Sequence, residues 1–192
     1  MSRKLPLLLT LTLLLSTLHL GCPPTEGPTA GPNANDAGAE FDALTTHELL
    51  ARALTKLQLA DVPNLHYLCE CFPEDLQTES TEACHQDTNA PAADELHECF
   101  LDQLTDHPEG DQALHDYLIQ TNVLVDQHDA CVDAIDTSTC SRDILDSIQS
   151  CGLTSVYKLN ALNDEAPEAI ITYMNDAHNM LLTSPCRDLF SN

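Results

Sequence analysis

The chain has 192 residues, 31 Asp and Glu against 7 Lys and Arg, and a formal net charge of −24. A surface this acidic repels phosphate backbones and anionic head groups, which excludes nucleic-acid binding and membrane attachment through a basic patch. With no Trp, four Phe and four Tyr, the apolar core is lean, the condition under which exported domains rely on disulfides.

Residues 1–21 read as a secretory signal. Arg3 and Lys4 form a positive flank, and Leu5 to Leu20 is a Leu-rich run of 16 residues. That is short of the roughly 20 residues needed to span a bilayer, which favours a cleaved signal over a membrane-spanning helix. The run ends in Leu18-His19-Leu20-Gly21-Cys22. This stretch resembles the lipobox of bacterial lipoprotein precursors, in which Leu, a small residue and Gly or Ala precede Cys. His19 and the bulky Leu20 depart from that pattern. The resemblance covers residues 1–22 and implies cleavage before Cys22, diacylglycerol on its thiol and an acyl chain such as palmitate on its amine. It further implies a cell-envelope location, with the lipid in a bacterial membrane, by expectation the outer one, and the domain in the periplasm or at the cell surface.

Cysteine counting points the same way. Nine cysteines in an exported chain leave one over. If Cys22 carries lipid, Cys69, Cys71, Cys84, Cys99, Cys131, Cys140, Cys151 and Cys186 can close four disulfides. Two or three acyl chains would anchor the protein durably. Removing residues 1–21 takes away Arg3 and Lys4 and no acid, leaving 31 acids against 5 bases and a net charge of −26.

Residues 22–40 begin with the lipid-bearing Cys22 and continue as a Pro/Gly-rich stretch with four Pro, three Gly and no large apolar residue. Nothing there can be buried to offset ordering entropy, so a disordered tether is expected, spanning about 25 Å as a random coil. The domain then occupies residues 41–192. Thr45-Thr46-His47-Glu48 is a capping box, and Leu49, Leu50, Ala53, Leu54 and Leu57 follow at helical spacing to about Ala60. Leu65, Leu68, Cys69 and Phe72 predict a short second helix stopped by Pro73. Residues 73–90 read as loop with one helical turn around Cys84. Asn89 is the expected cap of the next helix, with Leu96, Cys99, Phe100 and Leu104 inward and Pro108-Glu109-Gly110 as its break. Asp111 to Ile135 is the longest periodic stretch, with Leu114, Tyr117, Leu118, Leu124, Cys131, Val132 and Ile135 on one face. Ser138 or Ser141 caps a helix bearing Ile144, Leu145, Ile148 and Cys151, and Gly152 stands where a terminating glycine belongs. Residues 153–163 therefore read as a connector. A last helix from about Asp164 buries Ile170, Tyr173, Met174, Ala177 and Leu181 and stops before Pro185.

No stretch alternates with period two, so the expected fold is all-α, an irregular disulfide-stapled bundle of five to six helices. This layout is similar to that of Cys-rich helical bacterial lipoproteins to which no function is assigned, and it carries over no functional residue. Among the 105 possible pairings of eight cysteines, the sequence favours Cys131 with Cys140 across a helix–helix turn, Cys151 with Cys186, Cys71 with Cys84 and Cys69 with Cys99.

Catalytic motifs are absent. His47-Glu48 and His97-Glu98 open like zinc-protease helices, but Ala51 and Leu101 occupy the second ligand position. Ser155-Val156-Tyr157-Lys158 matches S-x-x-K without the K-T-G or S-D-N partners. Cys69-x-Cys71, Cys84-His85 and His97-x-Cys99 contain zinc-type ligands without C-x₂-C spacing, and no cofactor is expected. The first functional expectation is a membrane-anchored, non-enzymatic module that presents a rigid helical domain to a protein partner or to the envelope structure; an exposed apolar groove would favour it. The alternative, motivated by eight remaining histidines and the acid excess, is a divalent metal- or cofactor-binding lipoprotein, which requires three or more His, Asp or Glu to converge. A thiol–disulfide enzyme using Cys69-x-Cys71 is the third, and needs both sulfurs exposed.

Overall fold

A computed structural model of the chain describes residues 41–88, 90–104 and 112–190. The signal, Cys22, the tether, the Asn89 cap and the Pro108-Glu109-Gly110 break lie outside the described residues. Within them the elements are α1 (Thr46–Leu59), α2 (Val62–Cys71), a 3₁₀ turn (Pro73–Leu76), α3 (Thr81–Asp87), α4 (Ala93–Gln103), α5 (Gln112–Asp133), α6 (Arg142–Glu165), α7 (Glu168–Thr183) and a closing 3₁₀ segment (Pro185–Phe190). The fold is all-α, with no strand among the described residues. Six of these helices have ten or more residues, and α3, around Cys84, has seven.

Local chemistry sets most of the boundaries. Thr45 caps α1 as a reciprocal box: its hydroxyl accepts from the Glu48 amide at 3.2 Å, and its own amide donates to Glu48 Oε2 at 2.7 Å. α2 starts at Val62, earlier than the Leu65 periodicity indicates, because Pro63 sits in the first turn, where its missing N–H leaves no hydrogen bond unmade. Ser80 caps α3 by accepting from the Ala83 amide. Ser141, not Ser138, caps α6 by accepting from the Asp143 amide.

The largest departure from the sequence reading is α6. It runs without a break through Gly152 and residues 153–163 to Glu165. A glycine inside a helix costs about 1 kcal/mol relative to alanine and does not by itself end one. Here Pro167 supplies the stop, and α7 begins directly after it. A Cβ at position 152 would meet nothing within 4 Å, so no close packing requires the glycine.

Two apolar clusters form the core. The larger gathers Phe41, Leu49, Leu50 and Leu54 of the α1 region, Leu96, Phe100 and Leu104 around α4, Leu114, Tyr117 and Leu118 of α5, and Ile170, Ala177, Leu181 and Cys186 near the C-terminus. The smaller packs Tyr67 and Leu68 of α2 against Leu145 and Ile148 of α6. Leu57 faces outward at 37% exposure, although it falls on the periodic face of α1. Cys131 is exposed, whereas Val125 and His128 of the same helix are buried.

All eight domain cysteines are paired, but none in the combination the sequence favours. The bridges are Cys69–Cys84, Cys71–Cys140, Cys99–Cys186 and Cys131–Cys151. Cys69 and Cys71 lie about 200° apart around α2 and reach opposite neighbours, α3 and the α5–α6 loop. That loop is held on α2 by Tyr67, whose hydroxyl lies 2.9 Å from the Thr139 carbonyl and accepts from the Ser141 amide at 2.7 Å. Cys140 is thereby carried away from Cys131. Because α6 continues past Gly152, Cys151 faces α5 and takes Cys131, which leaves Cys186 to Cys99.

Candidate interaction groove

α5 and α6 form an antiparallel pair fixed at both ends. The Cys131–Cys151 bridge joins the end of α5 to the first half of α6. Near the start of α5 the Tyr117 hydroxyl donates to Asn163 Oδ1, 2.7 Å away, at the far end of α6. Between these ties Lys158 Nζ donates to Gln127 Oε1 at 2.9 Å. Along this pair lies a wide-mouthed groove of about 390 Å³.

Its lining is apolar from both sides: Ile119, Val123 and Leu124 from α5, Ala161 and Leu162 from α6. Ile119, Val123 and Leu162 reach inward to the larger core cluster, so the floor rests on packed side chains. Gln120, Lys158 and Glu165 form the polar rim. α6 also carries a second apolar stripe, Leu153, Val156 and Tyr157, at 42%, 42% and 64% exposure; Tyr157 stands one turn before the groove residue Ala161, whereas Leu153 and Val156 turn away from the groove. The three stripe residues stand at i, i+3 and i+4, on a different face from Leu145, Ile148 and Cys151. α6 is therefore apolar on its packed side and on part of its free side, more than packing within this chain requires.

The opposite side of α5 is held against α1 by a charged network. Asp126 accepts from Arg52 at 3.1 Å and from Lys56 at 2.6 Å, and Lys56 also reaches Asp129 at 2.6 Å. The buried Asn122 donates to the Leu49 carbonyl at 2.9 Å, and its Oδ1 accepts from Arg52 at 3.1 Å. The Arg52 guanidinium also lies 4.7 Å over the Phe41 ring. Burial works against the charge of Lys56, yet its two carboxylates hold its pKa above the ordinary lysine value. Burial likewise disfavours the charge of Asp129, but hydrogen bonds from His128 and Lys56 hold its carboxyl below the ordinary aspartate range. Both ions are matched inside the fold, so this network has the chemistry of a helix clamp.

The histidines are spread across the structure. His47 Nε2 lies 2.9 Å from the Leu101 carbonyl, and His115 Nδ1 lies 3.3 Å from Thr46 Oγ1. His66 and His85 stack with ring centroids 4.7 Å apart, and His85 Nε2 lies 2.8 Å from Glu70. Among the described residues no group of three or more His, Cys, Asp or Glu is placed to hold a metal ion; His107 lies outside them. Cys69 is fully buried and bridged to Cys84 while Cys71 is bridged to Cys140, so the Cys69-x-Cys71 pair does not stand together as two exposed sulfurs.

The sequence reading placed none of the groove residues in a site. The usable signal was the run Leu153, Val156, Tyr157: once 153–163 is read as helix, these form an apolar stripe that the core does not need. Among the described residues no helix is long and apolar enough to cross a membrane. Comparison with known proteins gives no matching family model, no matching curated protein and no matching solved structure.

Proposed function

We propose that this chain is a membrane-anchored lipoprotein whose helical domain is a non-enzymatic interaction module, and that the α5–α6 groove, with Tyr157 at its edge, is where a protein partner docks. The observation that carries this reading is the apolar groove itself. It combines a floor resting on the core, walls tied by a disulfide and a partly buried hydrogen bond, and the exposed aromatic Tyr157 at its edge, and aromatic residues are enriched at interface centres. The lipobox-like stretch ending at Cys22 supports anchoring, and the Pro/Gly-rich residues 23–40 would give the domain reach from the lipid surface. A net charge of −26 after processing leaves acyl chains, not a basic patch, as the means of membrane attachment.

The test is site-specific photocross-linking in the native envelope. A photoreactive residue placed at Tyr157, at the groove edge, is expected to trap one discrete protein adduct. The same residue at Glu82 on α3 is expected to trap none, and Ala161→Glu is expected to abolish the Tyr157 adduct. Equal adducts at both positions, or none at either, would contradict the reading.

A further inference from the structure

Resting on that reading, we infer that the occupant of the α5–α6 groove is a cationic amphipathic helix of another protein, with apolar residues on the groove floor and Lys or Arg over its acidic shoulders. Three observations single it out.

The first is the charge on the two walls. α5 carries Asp116, Asp126, Asp129 and Asp133 with no Lys or Arg, and α6 carries Asp143, Asp146, Asp164 and Glu165 against Arg142 and Lys158. Arg142 is paired with Asp75, whereas Lys158 is held by the neutral Gln127 and keeps its positive charge on the rim. Asp126 and Asp129 are taken by the α1 clamp. The balance beside the groove is negative: Glu165 on the rim, Asp164 next to it and Asp116 one turn before Gln120 stand against the single positive charge of Lys158. Such a field favours a positive ligand and raises its encounter rate.

The second observation concerns the shape of the site. Its apolar residues lie along the axes of two antiparallel helices, an open trough suited to side chains at i, i+3 or i+4 and i+7 of a docking helix. Docking by strand addition has no template here, because the described residues contain no sheet edge.

The third is the exclusion of other occupants. A second copy of the processed chain brings another net −26 against these acids. The chain's own residues 23–40 contain Glu26, Asp36 and Glu40, no base and no large apolar side chain, so they have nothing to seat in an apolar groove.

The experiment uses the full processed chain in zwitterionic nanodiscs, with protein-free nanodiscs as the blank. The probe is a fluorescent Leu/Lys peptide with leucines at helical spacing. Its controls are a scramble of the same composition and a Leu/Glu version of the same pattern. The Leu/Lys helix is expected to bind at least tenfold more tightly than either control. Ala161→Glu separates seating from simple charge attraction: it fills the groove yet adds a negative charge. Seating predicts at least a tenfold loss, whereas plain polycation attraction predicts unchanged or tighter binding. Ala161 is exposed, and an unchanged far-UV spectrum confirms folding; Glu165→Gln, which leaves the groove open, is expected to weaken binding about threefold through charge alone. Equal binding of the scramble, or undiminished binding to Ala161→Glu, overturns the inference. If the peptide fails while Tyr157 still traps a partner in the envelope, the docking face stands and the cationic-helix assignment falls; if both fail, both fall.

Discussion

Replacing Cys99 and Cys186 together by alanine is expected to lower the unfolding free energy by about 4–5 kcal/mol, the largest loss among the four bridges. The bridge closes a separation of 87 residues, against 69 for Cys71–Cys140, 20 for Cys131–Cys151 and 15 for Cys69–Cys84. In the chain-entropy account the stabilisation grows with the logarithm of the loop, and the shortest bridge is worth about 3 kcal/mol. Two structural facts add to the entropic term for Cys99–Cys186. Cys186 is fully buried in the larger core cluster, and it fastens the short closing 3₁₀ segment onto α4. A loss of this size is a large part of the 5–15 kcal/mol that holds a domain of this kind together. Urea unfolding of the four double-alanine variants is the check, and the predicted order of midpoints follows loop length. A Cys99/Cys186 variant as stable as the Cys69/Cys84 variant would show that the C-terminal segment is held by packing alone.

Leu118→Ala is expected to cost about 3 kcal/mol, within the range of 2–5 kcal/mol for truncating a buried leucine. Leu118 is fully buried on the face of α5 toward α1, flanked by Leu114 and the buried Thr121 and Asn122. Its neighbours cannot collapse into the vacated space: Asn122 is fixed by bonds to the Leu49 and Leu118 carbonyls, and Arg52 and Lys56 hold Asp126 one turn further on. Leu153→Ala, on the exposed stripe of α6, is the matched control and is expected to change stability by less than about 0.5 kcal/mol. Thermal and urea unfolding of the pair separate core from docking surface. A comparable loss from both would mean that Leu153 is buried in the folded protein and that the stripe is not free for a partner.

Much of the architecture is legible in the residues. The capping box at Thr45, the apolar spacing of Leu49, Leu50 and Leu54 and the Pro185 stop each act over one helical turn, and local signals of that range read directly; the cap of α6 is narrowed by sequence only to Ser138 or Ser141. The failures share a different cause. Whether α6 ends at Gly152 depends on the balance between a roughly 1 kcal/mol glycine cost and the packing of both halves of the helix along α5 and α2, which only the folded chain supplies. Reading that balance the wrong way moved Cys151 to a helix end, hid the Leu153-Val156-Tyr157 stripe in a supposed connector and spoiled the disulfide pairing. The clamp of Arg52, Lys56, Asp126 and Asp129 joins residues about seventy positions apart, a distance at which composition and periodicity carry no information. The groove was illegible for the same reason: its two walls are remote in sequence, and half of it lies on the stretch read as a loop.

A free-thiol count with disulfide mapping, made on the denatured processed protein isolated from its native envelope, tests the scaffold on which the docking face depends. The expected result is no free thiol, Cys22 being blocked by lipid, with linked peptides Cys69–Cys84, Cys71–Cys140, Cys99–Cys186 and Cys131–Cys151. One free thiol at Cys22 would remove the anchor and leave the scaffold; a Cys131–Cys140 link, or free thiols among the eight domain cysteines, would contradict the arrangement of α5 and α6 that forms the groove.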